Sequence, residues 1–412
     1  MRFGFSAVLT VATRVSAVLL MGLASIVIAR VLGPSGQGLV ASLLAVVGIV
    51  LQFGNLGVYA SNIRFVGEDK KLYGRASSNS LFVGVFLGVA AFIVLAGASY
   101  VFPQVFGDVP KGFLLLYAVS IPFSLLIILF QGMILAVENV KTYNLFIFLR
   151  ALMVFGGACL LLLVFGGGVY ELVLLLVLVE VAVCFMYLYV SGRVEKIRFS
   201  VDVALLKRMV SYGLKVYVAT QMTYLVLKFD VLLVNYYLGL ASTGVYSIAA
   251  KIADLLYLAP ATVALIYFPR ATALKDKAGA FTNKILAYLA GIMFLGCAVF
   301  YVIVKPVVLF LYGSAYAGAI LPLRILVPGI FFISLETIIM NYYAAKSMPL
   351  YVVATPLIGL AVNIGLNAAW IPTRGIVGAA ASSTVAYTLM FVMLFAYYVW
   401  NEFYALRRII GR

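Results

Sequence analysis

The sequence predicts an all-α, polytopic membrane protein of about twelve transmembrane helices, in two parallel six-helix lobes related by a pseudo-twofold axis around a central cavity. Three observations predict this fold class: the composition, a series of long apolar runs, and a repeat of half the chain. Of the 412 residues, 66% are hydrophobic and only 10% are charged, whereas about a quarter of the residues in a soluble domain are charged. A soluble fold could not cover so much apolar surface.

The apolar residues form about a dozen runs of 20 or more residues, long enough to cross a hydrocarbon core of about 30 Å as helices. The first run contains Arg14, is too long for a signal-peptide core and is followed by no convincing small-residue cleavage site, so we expect it to be retained. The predicted spans lie near residues 6–30, 38–62, 77–101, 113–137, 143–165, 169–190, 210–237, 244–268, 285–309, 319–343, 350–370 and 376–400.

Basic residues set the predicted topology. The net charge of +16 is compatible with nucleic-acid binding, but nineteen of the 29 Lys and Arg residues lie in tails and connections on one side of the predicted spans. Three lie on the other side: Arg30, Lys111 and Arg374. Such an excess marks the cytoplasmic side and interacts with lipid headgroups. The sequence therefore predicts a multi-pass plasma-membrane protein with both termini in the cytoplasm, whose partner is the lipid bilayer and not nucleic acid.

The sequence lacks the signatures of enzymes and cofactor sites. It has no His, and Cys159, Cys184 and Cys297 lie in apolar runs without metal-ligand spacing. It has no GKS/T phosphate loop, no GxGxxG on a strand-to-helix turn, and no loop longer than about 20 residues that could house a catalytic domain. We therefore expect no enzyme activity, no catalytic residue, no cofactor and no metal site.

The two halves of the sequence share a pattern of glycines and prolines. LGPSGQG, from Leu32 to Gly38, is matched by LGLASTG, from Leu238 to Gly244, at an offset of 206 residues. At the same offset Gly107 matches Gly313, Gly112 matches Gly318 and Pro122 matches Pro328. A duplication with an even number of spans in each half gives both halves the same orientation, and in transporters so built the substrate site lies between the halves.

The repeat divides the chain into four predicted parts. Residues 1–190 form an N-terminal lobe with spans one to six, and residues 210–400 form a C-terminal lobe with spans seven to twelve. Residues 191–209 form a cytoplasmic linker, in which residues 200–208 have an apolar side and a charged side and are expected to form a short interfacial helix. Residues 401–412 form a basic cytoplasmic tail.

Spans seven and eight carry opposite charges at matched depths. Asp230 and Lys251 are each ten to eleven residues from the turn of the predicted hairpin, and Lys228 and Asp254 are each twelve to fourteen residues from it. Lys228 and Asp230 lie about 200° apart around a helix, so at most one of these pairs forms directly. Because Lys251 and Asp254 share a face, we expect Asp230 to reach that face as the structural partner of Lys251.

Another face of span seven is polar and aromatic at helical spacing. It carries Tyr217, Gln221, Tyr224, Lys228 and Asn235. This stripe either packs against a neighbouring helix or lines a cavity, where Lys binds an anion and where Tyr and Gln contact sugar rings or hydroxyls.

Arg14 lies near the middle of span one, and the first three spans contain no acidic residue. An ionisable group at mid-membrane costs about 2.5 to 3.5 kcal/mol on insertion scales, so it needs a partner or a water-filled cavity. An arginine that faces such a cavity can bind phosphate through bidentate, charge-assisted hydrogen bonds. Gln52 and Asn55 lie at a comparable depth on span two and would extend the same lining.

Other charges inside the predicted spans include Arg150, Glu180 and Glu336. Arg150 and Glu180 are within about one helical turn of each other in depth, so we expect them to form a structural pair. Glu336 has no evident partner, and it is either neutral or a protonatable coupling site.

Two segments resemble a known family. ARVLGPSGQG, from Ala29 to Gly38, resembles the turn that closes the first span in polysaccharide flippases of the multidrug/oligosaccharidyl-lipid/polysaccharide exporter (MOP) superfamily. The segment from Phe229 to Leu256 resembles spans seven and eight of those proteins. The resemblance there includes Asp230, Gly239, Gly244, Tyr246, Ala250 and Lys251.

This resemblance implies a function and a set of partners. It implies a flippase that moves a polyprenyl-(di)phosphate-linked oligosaccharide from the cytoplasmic to the outer leaflet, by alternating access around a cationic cavity, for surface polysaccharide or glycan assembly. Arg14, Lys228 and the Lys251 region would supply the positive charge of that cavity. Glycosyltransferases or a polymerase of the same pathway are candidate partners, and a monomer is expected.

Two alternatives remain open. In an ion-coupled exporter of small amphiphiles or drugs, Asp230, Asp254 or Glu336 would carry the ion cycle, but drug exporters of the superfamily tend to carry an early acidic residue where this chain has Arg14. A membrane-embedded glycosyltransferase or polymerase would need a large loop that the sequence lacks. The lipid II flippases of the superfamily have more spans than this chain.

Overall fold

The computed structural model describes the backbone of residues 2–197, 200–274, 278–346 and 349–410. Side chains of the helical residues 2–9, 11, 215–220, 265, 269 and 402–410 lie outside that description. No strand occurs in the described ranges. The helices are α1 (Arg2–Gly54), α2 (Val58–Glu68), α3 (Tyr73–Val101), α4 (Lys111–Ala118), α5 (Ser120–Ala136), α6 (Val140–Cys159), α7 (Val169–Val194), α8 (Val203–Leu274), α9 (Ala278–Tyr312), α10 (Ile320–Lys346) and α11 (Leu350–Ile410).

In this part of the chain, nine helical stretches are long and apolar enough to cross a membrane. Three of them, with 43, 54 and 52 residues, are about twice as long as one crossing requires. Each contains one glycine with non-helical angles, namely Gly33, Gly239 and Gly375. With each long stretch counted as two crossings, the described residues contain the expected twelve spans. The prediction of an all-α, multi-pass membrane protein is confirmed.

The sequence repeat is also a repeat of backbone conformation. Gly33 has φ 68° and ψ −176°, and its counterpart Gly239 has φ 76° and ψ −178°. Gly107 and Gly313 likewise both have positive φ, 56° and 89°. Because only glycine adopts such angles without strain, each matched pair marks a turn that both halves of the sequence make at the same place.

The helices form two compact units. The first, called the N-unit here, comprises Met1–Gln221 and Gly239–Gly244; the second, the C-unit, comprises Met222–Leu238 and Val245–Arg412. In the N-unit, α5 packs against α2, α3 and α7, and α1 packs along α6. In the C-unit, α10 packs between α9 and α11. The apolar side chains of α5 and α10 are largely buried, so each of these helices is a core element of its unit.

Two matched glycines of the repeat pack against each other within the N-unit. A Cβ atom at Gly38 would overlap the carbonyl oxygen of Leu240, and a Cβ atom at Gly244 would overlap the carbonyl oxygen of Pro34. The two segments therefore touch backbone to backbone, and any side chain at either glycine would force them apart. The repeat therefore has glycines for two reasons. Gly38 and Gly244 allow close packing, and Gly33 and Gly239 adopt a positive φ.

Residues 203–208 of the linker are helical, and they form the first turns of α8, which continues into span seven. No Gly or Pro separates them from span seven, so the helix continues. Asp202 lies just before this helix, and its Oδ1 accepts a hydrogen bond from the backbone N–H of Leu205 at 3.0 Å. Its other oxygen binds Arg75 of α3, and its backbone N–H donates to Oδ1 of Asn79 at 2.8 Å. The linker is thereby held against the first turns of α3.

This contact should weaken in acid. The hydrogen bond from Leu205 and, next, the one from Arg75 lower the pKa of Asp202 from its ordinary value of 3.8. Because the pKa is lower in the folded than in the unfolded chain, the ionised carboxylate stabilises the fold fully above the ordinary value, and the stabilisation is lost as pH falls through the folded value.

We therefore expect a small, pH-dependent difference in thermal unfolding midpoint between the wild type and Asp202→Asn. The difference should be present at about pH 6 and should be smaller at about pH 3, because the stabilisation decreases as pH falls below the ordinary pKa of 3.8 toward the lowered folded value. A difference of the same size at both pH values would show that ionisation of Asp202 does not matter.

Candidate functional site

Arg14 belongs to a group of polar side chains that comes from five helices of the N-unit. Nη2 of Arg14 on α1 donates to the hydroxyl of Tyr143 on α6 at 3.5 Å. Tyr59 of α2 lies within electrostatic range of both Tyr143 and Arg14. Tyr187 of α7 lies within electrostatic range of both tyrosines and near Gln131 of α5, but its hydroxyl has no hydrogen-bond partner among the described residues. These five residues are called the Arg14 cluster.

Local contacts fix the tyrosines of this cluster. Asn144, next to Tyr143, donates from Nδ2 to Oγ1 of Thr10 at 3.0 Å, which ties α6 to α1 one turn from Arg14. The Tyr187 ring packs edge to face on Phe146, with centroids 4.9 Å apart. Tyr143 and Tyr187 are buried, whereas Arg14 is half-buried. These contacts therefore hold in place the aromatic side chains that lie beside Arg14.

Asn55 lies in a turn between α1 and α2 and not within a continuous second span. The predicted second span would continue to residue 62, but α1 ends at Gly54 and the chain turns through Leu56 and Gly57, both with positive φ. Oδ1 of Asn55 accepts the backbone N–H of Tyr59 at 3.2 Å. Asn55 therefore positions Tyr59 by capping the start of α2, and the prediction that it lies on a continuous returning helix is wrong. Gln52 is half-buried in the last turn of α1.

Arg150, which was expected to pair with Glu180, is neutralised by that carboxylate. Nε of Arg150 donates to Oε1 of Glu180 at 3.0 Å, and Oγ of Ser124 donates to Oε2 of Glu180 at 3.0 Å. The predicted Arg150–Glu180 pair is thus confirmed. Arg14, in contrast, forms no ion pair with the described residues of the N-unit. Its hydrogen-bond partner is the neutral phenol of Tyr143.

In the C-unit, the expected partners of the charged hairpin are exchanged. Nζ of Lys228 lies 2.5 Å from Oδ2 of Asp254, so the prediction that Asp230 supplies the structural pair is wrong. Asp230 instead accepts hydrogen bonds from the hydroxyls of Tyr246, at 2.5 Å, and Ser383, at 3.0 Å. The short Asp230 side chain lies on the buried face of α8, where these hydroxyls satisfy it. The long Lys228 side chain instead reaches Asp254, which lies beyond the bend at Gly239.

Lys251 lies one turn before Asp254 and is half-buried. The charges of Lys228 and Asp254 act on both Lys251 and Tyr224. Lys228, Lys251, Asp254 and Tyr224 therefore form one electrostatically linked group along α8 of the C-unit. Because Asp254 already neutralises Lys228, the ammonium of Lys228 is not a free anion site.

The other members of the polar stripe are distributed between the two units. Gln221 of the N-unit and Asn235 of the C-unit are both buried, as the packing alternative expects. Tyr224 and Lys228 are half-buried, which leaves them accessible for contact with a ligand. The side chain of Tyr217 lies outside the described residues.

Glu336 is buried inside α10, with 2% of its surface exposed. Its Oε1 has no hydrogen-bond partner among the described residues. The next residue, Thr337, shares a hydrogen bond of 2.7 Å with Tyr257 of α8. No group of three or more His, Cys, Asp or Glu side chains that could hold a metal ion occurs in the described part of the chain.

Sequence reasoning missed the tyrosines of the Arg14 cluster. Arg14 and Tyr143 are 129 residues apart, and each of the phenols lies in an ordinary apolar helix. Tyr246 and Ser383, which satisfy Asp230, were also not predicted as site residues. Tyr246 alone carried a signal, since it lies in the segment that carries the family resemblance.

Solved structures share this fold. An inward-facing multidrug resistance MATE family transporter of the MOP superfamily has a TM-score of 0.80 and 15% identity, over 98% of this chain and 99% of that chain. The lipid II flippase MurJ, in an inward closed conformation, has a TM-score of 0.80 and 14% identity, over 94% of this chain and 86% of that chain. A MOP superfamily transporter from Pyrococcus furiosus has a TM-score of 0.67 and 14% identity, over 96% and 94% of the chains.

A search of curated proteins finds no match. The family described as polysaccharide biosynthesis protein matches residues 27–321, which is most of the chain. The structural neighbours, at low sequence identity, establish the fold of MOP superfamily transporters. The chain belongs to the polysaccharide biosynthesis protein family and has the MOP superfamily fold.

Proposed function

We propose that this protein is a flippase that translocates a polyprenyl-(di)phosphate-linked oligosaccharide from the cytoplasmic to the outer leaflet by alternating access. The observation that carries the proposal is the state of Arg14, a cation within a membrane helix whose partner in the N-unit is a phenol and not a carboxylate. A charged side chain at such a depth is costly unless function requires it. Phosphate is the anion whose geometry a guanidinium matches best.

Family membership supports the choice of substrate class. Polysaccharide assembly needs lipid-linked glycans to cross a membrane, and this chain combines a polysaccharide biosynthesis family with a transporter fold. The proposal includes a plasma-membrane location, both termini in the cytoplasm, a monomeric state, and glycosyltransferases or a polymerase of the same pathway as partners. Arg14 of the N-unit would bind the phosphate.

An ion-coupled exporter of small amphiphiles is the second candidate. The observation that favours it is Glu336, whose buried Oε1 lacks a hydrogen-bond partner among the described residues, since a carboxyl group of this kind can take up a proton. Arg14 argues against this candidate for cationic amphiphiles such as ethidium, because a cationic site repels them.

Reconstitution into liposomes distinguishes the two candidates. A fluorescent glycan linked to polyprenyl diphosphate would be loaded into one leaflet, and its access to an impermeant quencher would be followed. We expect the protein to accelerate exchange at least about tenfold over protein-free liposomes, which corresponds to lowering the barrier by about 1.4 kcal/mol. Transport of ethidium without movement of the glycan would contradict the flippase proposal and favour the exporter.

A further inference from the structure

Arg14, Tyr59 and Tyr143 converge within the N-unit, and nothing so far assigns a role to the two tyrosines. We infer that the three side chains form one binding site for a phosphoryl group, with the guanidinium supplying the charge and the two phenol hydroxyls supplying further hydrogen bonds. This inference rests on the proposed function, because it names two additional residues that recognise the substrate's phosphate.

The guanidinium of Arg14 keeps donors available for a ligand. An arginine carries five N–H donors, and the contact with Tyr143, at 3.5 Å, lies at the outer limit of a hydrogen bond. Arg14 is half-buried, so its remaining donors are not enclosed by protein. A phosphate oxygen near this guanidinium would form shorter, charge-assisted bonds in place of the long contact.

The two tyrosines can also donate hydrogen bonds to a ligand. The phenols of Tyr59 and Tyr143 lie within electrostatic range of each other. Each hydroxyl carries one proton that it can donate to a ligand. Tyr143 contacts the guanidinium of Arg14 at 3.5 Å, and the charge of Arg14 acts on Tyr59, so the proposed site places both phenols around the anion that Arg14 binds.

The geometry of the site is fixed before a ligand binds. Asn55 holds the first turn of α2 through the backbone of Tyr59, and the Asn144–Thr10 bond holds α6 beside α1 next to Tyr143. Rotation of two hydroxyls is therefore the main adjustment that binding requires, and such preorganisation favours affinity.

The chemistry of the site favours phosphate over a sugar hydroxyl. Sugar recognition usually needs hydrogen-bond acceptors as well as donors, but the carboxylate of Glu180, on the same helix as Tyr187, is occupied by Arg150 and Ser124. The site therefore combines one positive charge with neutral donors, which complements an anion with several acceptor oxygens. In the C-unit, Lys228 is neutralised by Asp254, so it offers no equivalent site.

Binding of farnesyl phosphate and of farnesol to the full-length protein in detergent tests the inference. We expect Tyr59→Phe and Tyr143→Phe each to weaken farnesyl phosphate binding about tenfold, because each removes one hydrogen bond to a charged group. Farnesol, which lacks the phosphate, should bind the variants and the wild type equally. The matched control is Tyr170→Phe, an exposed phenol of α7 about 25 Å along the helix from Tyr187, and it should change neither affinity.

Arg14→Gln separates the inference from the proposed function. If Arg14→Gln abolishes farnesyl phosphate binding while the double variant Tyr59→Phe with Tyr143→Phe binds as the wild type does, the role of the tyrosines is overturned and the role of Arg14 stands. If Arg14→Gln also binds normally, the phosphate site of the proposed function falls with it. Phenylalanine preserves the rings, and should buried Tyr143→Phe fail to fold, half-buried Tyr59→Phe decides the question alone.

Discussion

Replacement of Arg14 by Gln is expected to reduce translocation of a polyprenyl-diphosphate-linked glycan by about 100-fold. The variant removes a charge-assisted interaction with the substrate's phosphate, worth about 3 kcal/mol. Stability should change little, because Arg14 forms no ion pair with the described residues of the N-unit and contacts Tyr143 only at 3.5 Å. The measurement is the initial rate of leaflet exchange in proteoliposomes, normalised to the amount of folded protein.

Two companion variants sharpen this expectation. Arg14→Lys keeps the charge but loses the planar fork, so its rate should fall between those of the wild type and Arg14→Gln. Lys305→Gln removes an exposed cation from another membrane helix and should leave the rate unchanged. Equal rates for Arg14→Gln and Lys305→Gln would show that the position of the charge is irrelevant, contrary to the proposed function.

Replacement of Gly38 or Gly244 by Ala is expected to destabilise the protein by about 3 kcal/mol, at the upper end of the usual cost of overpacking. Each added Cβ would overlap a backbone carbonyl oxygen, of Leu240 or of Pro34, which cannot move unless a whole segment shifts. Unfolding in detergent, followed by circular dichroism, measures the loss. Because both glycines serve one contact, the double variant should cost less than the two single losses together.

Gly22→Ala is the matched control for this prediction. Gly22 lies in the same helix α1, and a Cβ atom there would meet nothing within 4 Å. Since Ala is the better helix former by up to about 1 kcal/mol, this variant should be neutral or slightly stabilising. Gly38→Ala with the stability of Gly22→Ala would mean that the backbone contact does not restrict the two segments.

The number and the order of the spans were predictable because they depend on short-range properties of the sequence. Apolar runs of sufficient length determine where the chain crosses, and Gly33 and Gly239 mark turns because few other residues adopt their backbone angles. The second span was the exception. Its helix is broken at residues 55–57 by a left-handed turn that includes Leu56, a residue with no turn preference.

Side-chain partners were less predictable, since they depend on how helices rotate and how far side chains reach. Depth along the hairpin allowed both Asp230–Lys251 and Lys228–Asp254, and it gave no sign that Tyr246 and Ser383 would satisfy Asp230. Arg14 was identified as unusual because the first three predicted spans lack acidic residues. Its support by Tyr143 could not be identified, because that contact joins helices far apart in sequence.

The most direct test of the proposed function is the rate at which the wild-type protein moves two glycans that differ only in their lipid link. One carries a polyprenyl diphosphate, and the other carries the same polyprenyl chain through a neutral ether. If Arg14 recognises phosphate, the diphosphate-linked glycan should cross at least about tenfold faster. Equal rates for the two glycans would contradict phosphate recognition by this protein.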